Sequence, residues 1–213
     1  MKIKMSIVFI LLLYCTASVF AEDWQYWSTW SAIHDISSKA QVSALTEAYF
    51  RGISDDYVYD EYITYSHKLE HGFGLFGQLY FESVKSSSNS WLGTRSAVAG
   101  LFYEKELYHI GRIKLEDRIF YRLNSPAEFD YHRPRLYFFR DIGQIKLTLS
   151  DEMRIDLTGE RTDKFYRNRI YAMVSKKVSQ SLLLGIGYLR QSDKNGGSWE
   201  SFSGVQSFVS VIF

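Results

Sequence analysis

Charged side chains that could bind or select anions recur at every second position in the middle of the sequence. One stretch places Arg112, Glu116, Arg118 and Arg122 on the same side of an extended chain. We expect a shared face to be formed by Arg112, Arg118, Arg122, Arg133, Arg135, Glu152, Arg154 and Arg169. Guanidinium groups attract anionic solutes and also pair with carboxylates. The set therefore favours either an electropositive path for anions or a salt-bridged plug.

Catalytic and metal chemistry have weaker support in the sequence. Ser66 adjoins His67, but neighbours on a strand point to opposite faces, so the two do not form a dyad. The sequence contains no Gly-x-Ser-x-Gly turn and no His-x-His or His-Glu-x-x-His spacing. We therefore predict no catalytic residue, no metal site and no cofactor. A serine and a histidine brought together by the fold remain an alternative.

Alternation of polar and apolar residues from Trp24 onward predicts β-strands throughout. It is clearest at 109–124, where the charged positions oppose Ile113, Leu115, Ile119 and Tyr121, and only Asp117 interrupts the apolar side. We predict strands near 24–35, 40–51, 57–69, 73–84, 92–105, 109–123, 131–140, 144–158, 165–177, 181–192 and 202–213. A soluble antiparallel sheet would bury the apolar side, whereas a membrane barrel would turn it to lipid.

The two ends of the chain favour the membrane barrel. Lys2 and Lys4 precede an apolar run, and Val19-Phe20-Ala21 suits a cleavage site, so we predict a cleaved signal peptide at 1–21. The last strand ends in Val209, Val211 and Phe213, a pattern that resembles the insertion signal of bacterial outer-membrane barrels. Residues 22–213 are therefore expected to form one domain.

The predicted fold is an all-β, antiparallel transmembrane β-barrel of about 10–12 strands in the Gram-negative outer membrane, reached by export through the inner membrane. The count of eleven predicted segments conflicts with the even number of strands that bacterial single-chain barrels normally have. Either ten or twelve strands are expected, and residues 24–36 could lie outside the wall. The expected partners are outer-membrane lipids, the barrel-insertion machinery and small solutes. The net charge of +1 gives no indication of nucleic-acid binding.

Aromatic residues make up 17% of the chain, as expected where rings line both membrane interfaces. We assign three clusters to such girdles. They are Trp24, Tyr26, Trp27 and Trp30; Tyr57, Tyr59, Tyr62 and Tyr65; and Tyr137, Phe138 and Phe139.

Several short motifs together resemble the domain of unknown function 2490 family of bacterial proteins. They are Trp24, Trp27 and Trp30 at the start, Glu47 and Arg51, the arginines at 118, 122, 133 and 135, Asp151-Glu152, Asn168-Arg169-Ile170-Tyr171, and Gly185, Gly187 and Tyr188. The resemblance implies an outer-membrane barrel and no established activity. Our leading functional hypothesis is a small-solute channel or passive barrel. The alternatives are a lipid-modifying enzyme of the outer membrane and an exported, soluble β-barrel ligand binder.

Overall fold

The structure of the chain is a computed structural model that describes residues 24–51, 57–85, 90–124 and 128–213. The predicted signal peptide lies outside the described residues. The described residues form twelve strands: β1 (Trp24–Asp35), β2 (Ala40–Arg51), β3 (Tyr57–Lys68), β4 (Phe73–Lys85), β5 (Trp91–Leu107), β6 (Gly111–Arg122), β7 (Phe129–His132), β8 (Arg135–Ile142), β9 (Ile145–Asp156), β10 (Phe165–Lys177), β11 (Leu182–Asn195) and β12 (Ser198–Ile212).

These strands close into a single barrel, which confirms the predicted all-β fold. Strands that are consecutive in the wall pair antiparallel, and the first strand closes the ring by pairing parallel to the last, from Trp24 opposite Ser203 to Ile33 opposite Ile212. Strands β7 and β8 both pair with β6 and β9. They form one wall strand that is interrupted at Arg133-Pro134, because proline has no N–H to donate to a ladder.

The wall therefore contains eleven strands, and the expectation of an even number was wrong. Each of the eleven segments predicted from the sequence is a wall strand, and the tryptophan-rich first segment belongs to the wall rather than lying outside it. An odd number is accommodated by the parallel pairing of β1 with β12. It follows that the wall begins at one end of the barrel, with Trp24, and finishes at the other, with Ile212.

The connections differ in length between the two ends of the barrel. At one end, the long-loop end, β2 is followed by β3, β4 by β5, β6 by β7, β9 by β10 and β11 by β12, after five, five, six, eight and two residues of sequence. The short-turn end carries residues 36–39, 69–72, 108–110, 143–144 and 178–181. One short turn is a 3-10 turn, Glu70–Gly72, and no helix among the described residues is long and apolar enough to cross a membrane. Longer connections at one end are the asymmetry seen in outer-membrane barrels.

The outer face of the wall is apolar and exposed. Exposed fractions reach 53% at Ile63, 65% at Leu101, 52% at Leu149 and 57% at Ile186. Residues that alternate with these side chains are buried, so the interior is formed by the polar and aromatic half of each strand. A soluble protein places its large aliphatic groups the other way round.

Two glycines on the inner face make room for aromatic rings. A Cβ atom on Gly100 would overlap the ring of Phe76, and one on Gly74 would overlap the ring of Phe102. The two pairs lie on the neighbouring strands β4 and β5, where Phe76 is directly opposite Gly100 and Phe102 is directly opposite Gly74. Each phenylalanine ring thus occupies the space next to a glycine that has no side chain. These two rings fill part of the barrel interior.

Candidate functional site: the barrel interior

A row of three carboxylates crosses the inner face of β2, β3 and β4. Glu47 is directly opposite Asp60, and Asp60 is directly opposite Glu82. The Tyr80 hydroxyl lies 3.0 Å from Asp60 Oδ1 and 2.7 Å from Glu82 Oε2. Asp60 is only 1% exposed. Like charges directly opposite each other are destabilising in a sheet, so this acidic row requires positive charge elsewhere in the interior.

That positive charge lies in an arginine cluster around Glu152 on β9. Arg133 Nη2 is 2.7 Å from Glu152 Oε2, and Arg135 contacts the same oxygen. Arg154 and Arg169 approach Oε1 at 3.9 and 3.8 Å. The strand register brings these side chains together, because Glu152 is directly opposite Arg135 on β8 and Arg169 on β10.

Four guanidinium groups share the one carboxylate of Glu152, so the cluster carries excess positive charge. Arg133 and Glu152 have side-chain exposures of only 2% and 1%. Several of the buried guanidinium nitrogens have no hydrogen-bond partner, among them Arg133 Nε and Arg154 Nε. Buried charges that are incompletely paired are costly. The excess positive charge faces an interior that also holds the acidic row, which offsets part of it.

Aromatic rings fill the interior between the two charged groups. The ring of Tyr62 packs on Tyr80 at 4.8 Å between centroids, Tyr80 meets the edge of Phe120 at 5.4 Å, and Phe120 stacks on Tyr131 at 4.2 Å. The Arg154 guanidinium then lies 4.9 Å from the Tyr131 ring. Because these residues belong to β3, β4, β6, β7 and β9, the contacts run across the barrel as well as along its wall.

A second cluster fills the side of the interior nearest to the parallel closure. Trp27 is fully buried and stacks on Tyr49 at 4.2 Å between centroids. The Arg169 guanidinium lies 4.9 Å from the Trp27 ring, and Tyr171 and Leu189 complete the cluster. A cation over an indole ring is a favourable contact, and more so when it is shielded from water. The arginines are therefore packed as well as paired.

The remaining arginines of the predicted lumen lie along β6 and are paired with carboxylates. Arg118 contacts Glu116 and is buried. Arg122 reaches Glu128 at 3.3 Å and Asp130 at 2.9 Å near the long-loop end, whereas Arg112 lies 3.6 Å from Glu104 near the short-turn end. All eight predicted residues thus lie on the inner face, but only Arg133, Arg135, Glu152, Arg154 and Arg169 meet in one cluster.

Part of the girdle assignment was wrong. The outer face carries Tyr26, Trp30, Tyr59 and Tyr65, all of them exposed. Trp27 and Tyr62, in contrast, are buried inside the barrel. The Tyr137 side chain also lies on the inner face, where it contacts Arg135. Alternation along a strand sends neighbouring rings to opposite faces, so a cluster in the sequence is divided by the wall. The carboxylate row was missed, although alternation alone places Asp60 and Tyr62 on one side of β3.

The other residues singled out in the sequence lie away from this interior network. Val209 and Val211 are opposite Trp30 and Ala32 of β1, and the Phe213 N–H donates to the Ile33 carbonyl at 2.9 Å. The end of the last strand is thus held in the closure. Asp117, which interrupts the apolar side of β6, lies on the outer face and contacts His132.

A small polar cleft of about 250 Å³ lies at the long-loop end, between residues 160–163 and the β11–β12 connection. Lys194 Nζ is 2.8 Å from Asp163 Oδ1, and the Gly197 N–H donates to Asp163 Oδ2 at 3.0 Å. The hydrogen bond from Lys194, together with the one from Gly197, lowers the pKa of the Asp163 carboxyl below its ordinary value. These contacts join the two loops to each other.

No protein-family model, curated protein or solved structure matches this chain. The resemblance to the domain of unknown function 2490 family consequently stays a proposal.

Proposed function

We propose that the chain is an outer-membrane β-barrel of the domain of unknown function 2490 family that acts as a passive barrel, with its lumen closed by packed side chains in the half nearer the long-loop end. The observation that carries the proposal is the packed layer around Glu152, in which Arg133, Glu152 and Arg169 are each no more than 2% exposed. Barrels of intermediate strand number lie between those that fill their interior with side chains and those that leave a channel.

The outer face supports the membrane part of the proposal. Large aliphatic side chains are exposed around the wall, while the arginine cluster around Glu152 and Asp60 of the acidic row are buried inside. This is the arrangement expected when lipid surrounds a barrel. In water the same surface would present far more contiguous apolar area than soluble monomers expose. A soluble ligand binder is therefore disfavoured. In the membrane, the long-loop end would face the outside of the cell, because outer-membrane barrels have their longer loops there.

Single-channel recording in a planar bilayer tests the closed lumen. We expect the wild-type chain to show no discrete openings, because aromatic rings and paired charges are packed together around Glu152. The variant Tyr80→Ala/Tyr131→Ala removes two rings from the packed layer and should produce openings that prefer anions, since four arginines surround Glu152.

The matched control is Leu101→Ala, which shortens an outer side chain that is 65% exposed and should stay silent. Stable openings of the wild-type protein would contradict the proposal and favour a small-solute channel instead. Insertion is checked separately, by resistance of the protein to carbonate extraction from the vesicles and by a change in gel mobility on boiling.

A further inference from the structure

The outer face carries a group of polar side chains where only apolar ones are expected. We name it the outer polar cluster: Asp117, His132, Asp151 and Asn168. Asp117 and Asp151 lie near the middle of β6 (Gly111–Arg122) and β9 (Ile145–Asp156), with apolar side chains on either side of each along its strand. On the proposed function, these positions lie at the centre of the lipid-facing band.

The cluster consists of two pairs on neighbouring strands. His132 Nε2 contacts Asp117 Oδ1, and the Asp117 side chain remains 57% exposed. The Asn168 amide donates to Asp151 Oδ1 at 2.6 Å and lies 3.3 Å from the Glu152 carbonyl. Asp151 and Asn168 are each partly exposed, so both pairs have polar atoms at the outer surface.

An apolar groove of about 490 Å³ lies against the cluster and includes both aspartates in its lining. The outer-face side chains of Leu101, Leu115, Leu136 and Met153 also line the groove. The groove follows the interruption at Pro134, where the wall strand is broken between β7 and β8. The outer face thus combines a depression that apolar groups can fill with charges that hydrocarbon cannot solvate.

Ionisable groups that face lipid are costly and are covered, paired or functional in known membrane proteins. Lipid chains would fill the groove but would leave the carboxylates unsolvated. A second copy of the chain would both fill the groove with apolar side chains and provide partners for the polar atoms. The reason is that each cluster holds a histidine that can donate a hydrogen bond and a carboxylate that can accept one. A two-fold interface is self-complementary, so one such pair is made twice.

We infer that the outer polar cluster is the centre of a homodimer interface within the membrane, with His132 of each copy against Asp151 of the other. The exposed outer side chains Leu149 and Ile170 flank Asp151 and would enter the groove of the opposite copy. This inference rests on the proposed membrane location but not on whether the lumen is closed. Polar contacts between membrane segments are stabilising because the alternative is an unsatisfied group in hydrocarbon.

The absence of cysteine from residues 22–213 allows a direct test. The refolded chain carrying Met153→Cys, in phospholipid vesicles, should be joined into dimers by a short bismaleimide. The matched control is Ile63→Cys, an exposed outer position on β3, which should give little product. Native mass spectrometry from the same vesicles should show a dimer of the cysteine-free protein.

The double variant His132→Gln/Asp151→Asn removes the proposed contact between the histidine and the carboxylate with little change of shape. It should weaken the dimer about tenfold or more. The matched control is Glu61→Gln, which changes an outer-face carboxylate of β3 that does not line the groove and should therefore leave the dimer unchanged. A wild-type protein that is inserted but monomeric, whether bare or with bound lipid, overturns the inference and leaves the proposed function standing. Equal cross-linking at positions 63 and 153 also overturns it.

A protein that fails to insert overturns both the inference and the proposed function. Because the mass measurement uses wild-type protein, the inference does not depend on whether the double variant folds.

Discussion

Replacing Glu152 with glutamine is expected to lower the free energy of unfolding of the barrel by about 3–5 kcal/mol, the usual cost of removing one partner from a buried ion pair. Arg133 and Arg135 hold the same oxygen of Glu152, and Arg154 and Arg169 approach the other. The glutamine side chain has the same size but no charge. Four guanidinium groups would then lie together in the interior with no carboxylate among them.

The measurement is a urea titration of the protein folded in phospholipid vesicles, followed by tryptophan fluorescence. The matched control is Glu128→Gln, which removes one of the two carboxylate partners of Arg122 near the long-loop end, where the Glu128 side chain is 29% exposed. Exposed pairs contribute about 1 kcal/mol or less, so the control should change little. Equal small losses in both variants would show that water, rather than Glu152, compensates the arginines.

The second large effect is expected from Trp27→Ala. Trp27 is fully buried, stacks on Tyr49 and lies beneath the Arg169 guanidinium. Removing a buried aromatic side chain costs about 3–5 kcal/mol, because a cavity is added to the loss of burial. The same titration gives the value, with far-ultraviolet circular dichroism as the readout since a tryptophan is removed.

The chain offers a close control on the same strand. Trp30 lies three residues further along β1 with its ring on the outer face, 59% exposed. Trp30→Ala should cost about 1 kcal/mol or less, as substitutions outside a core usually do. Similar losses of unfolding free energy in both variants would contradict the position of β1 in the wall. A wall strand directs the Trp27 ring into the barrel and the Trp30 ring to the outer face, so the two losses should differ.

The strands and the inward direction of the arginines could be predicted, because both follow from alternation within one segment. Ile113 and Leu115 face outward and Arg112 and Arg118 inward by strand geometry alone. Alternation is local, and it contains no information about which strands pair. The parallel closure depends on β1 meeting β12 across almost the whole chain, so the even strand number was the wrong expectation.

The content of the interior was less predictable for the same reason. Glu47, Asp60 and Glu82 form a row only because the registers of β2, β3 and β4 align them. Asp117 was visible in the sequence as a break in the apolar side of β6, but its contact with His132 depends on how β7 pairs with β6. Residue types on one strand suggest a face, and register decides which side chains meet on it.

A membrane barrel with a closed lumen requires an apolar face in lipid and an interior closed to water. One spin-label experiment on β5 tests both requirements. Single cysteines at Ser96, Ala97, Val98, Ala99 and Leu101 would be labelled in the vesicle-inserted protein and exposed to oxygen, which concentrates in lipid, and to a nickel chelate, which stays in water. We expect labels at 97, 99 and 101 to collide with oxygen, and labels at the buried positions 96 and 98 to be protected from both reagents. Access of the nickel chelate to 96 and 98 would contradict the closed lumen, and its access to 97, 99 and 101 would contradict the membrane barrel itself.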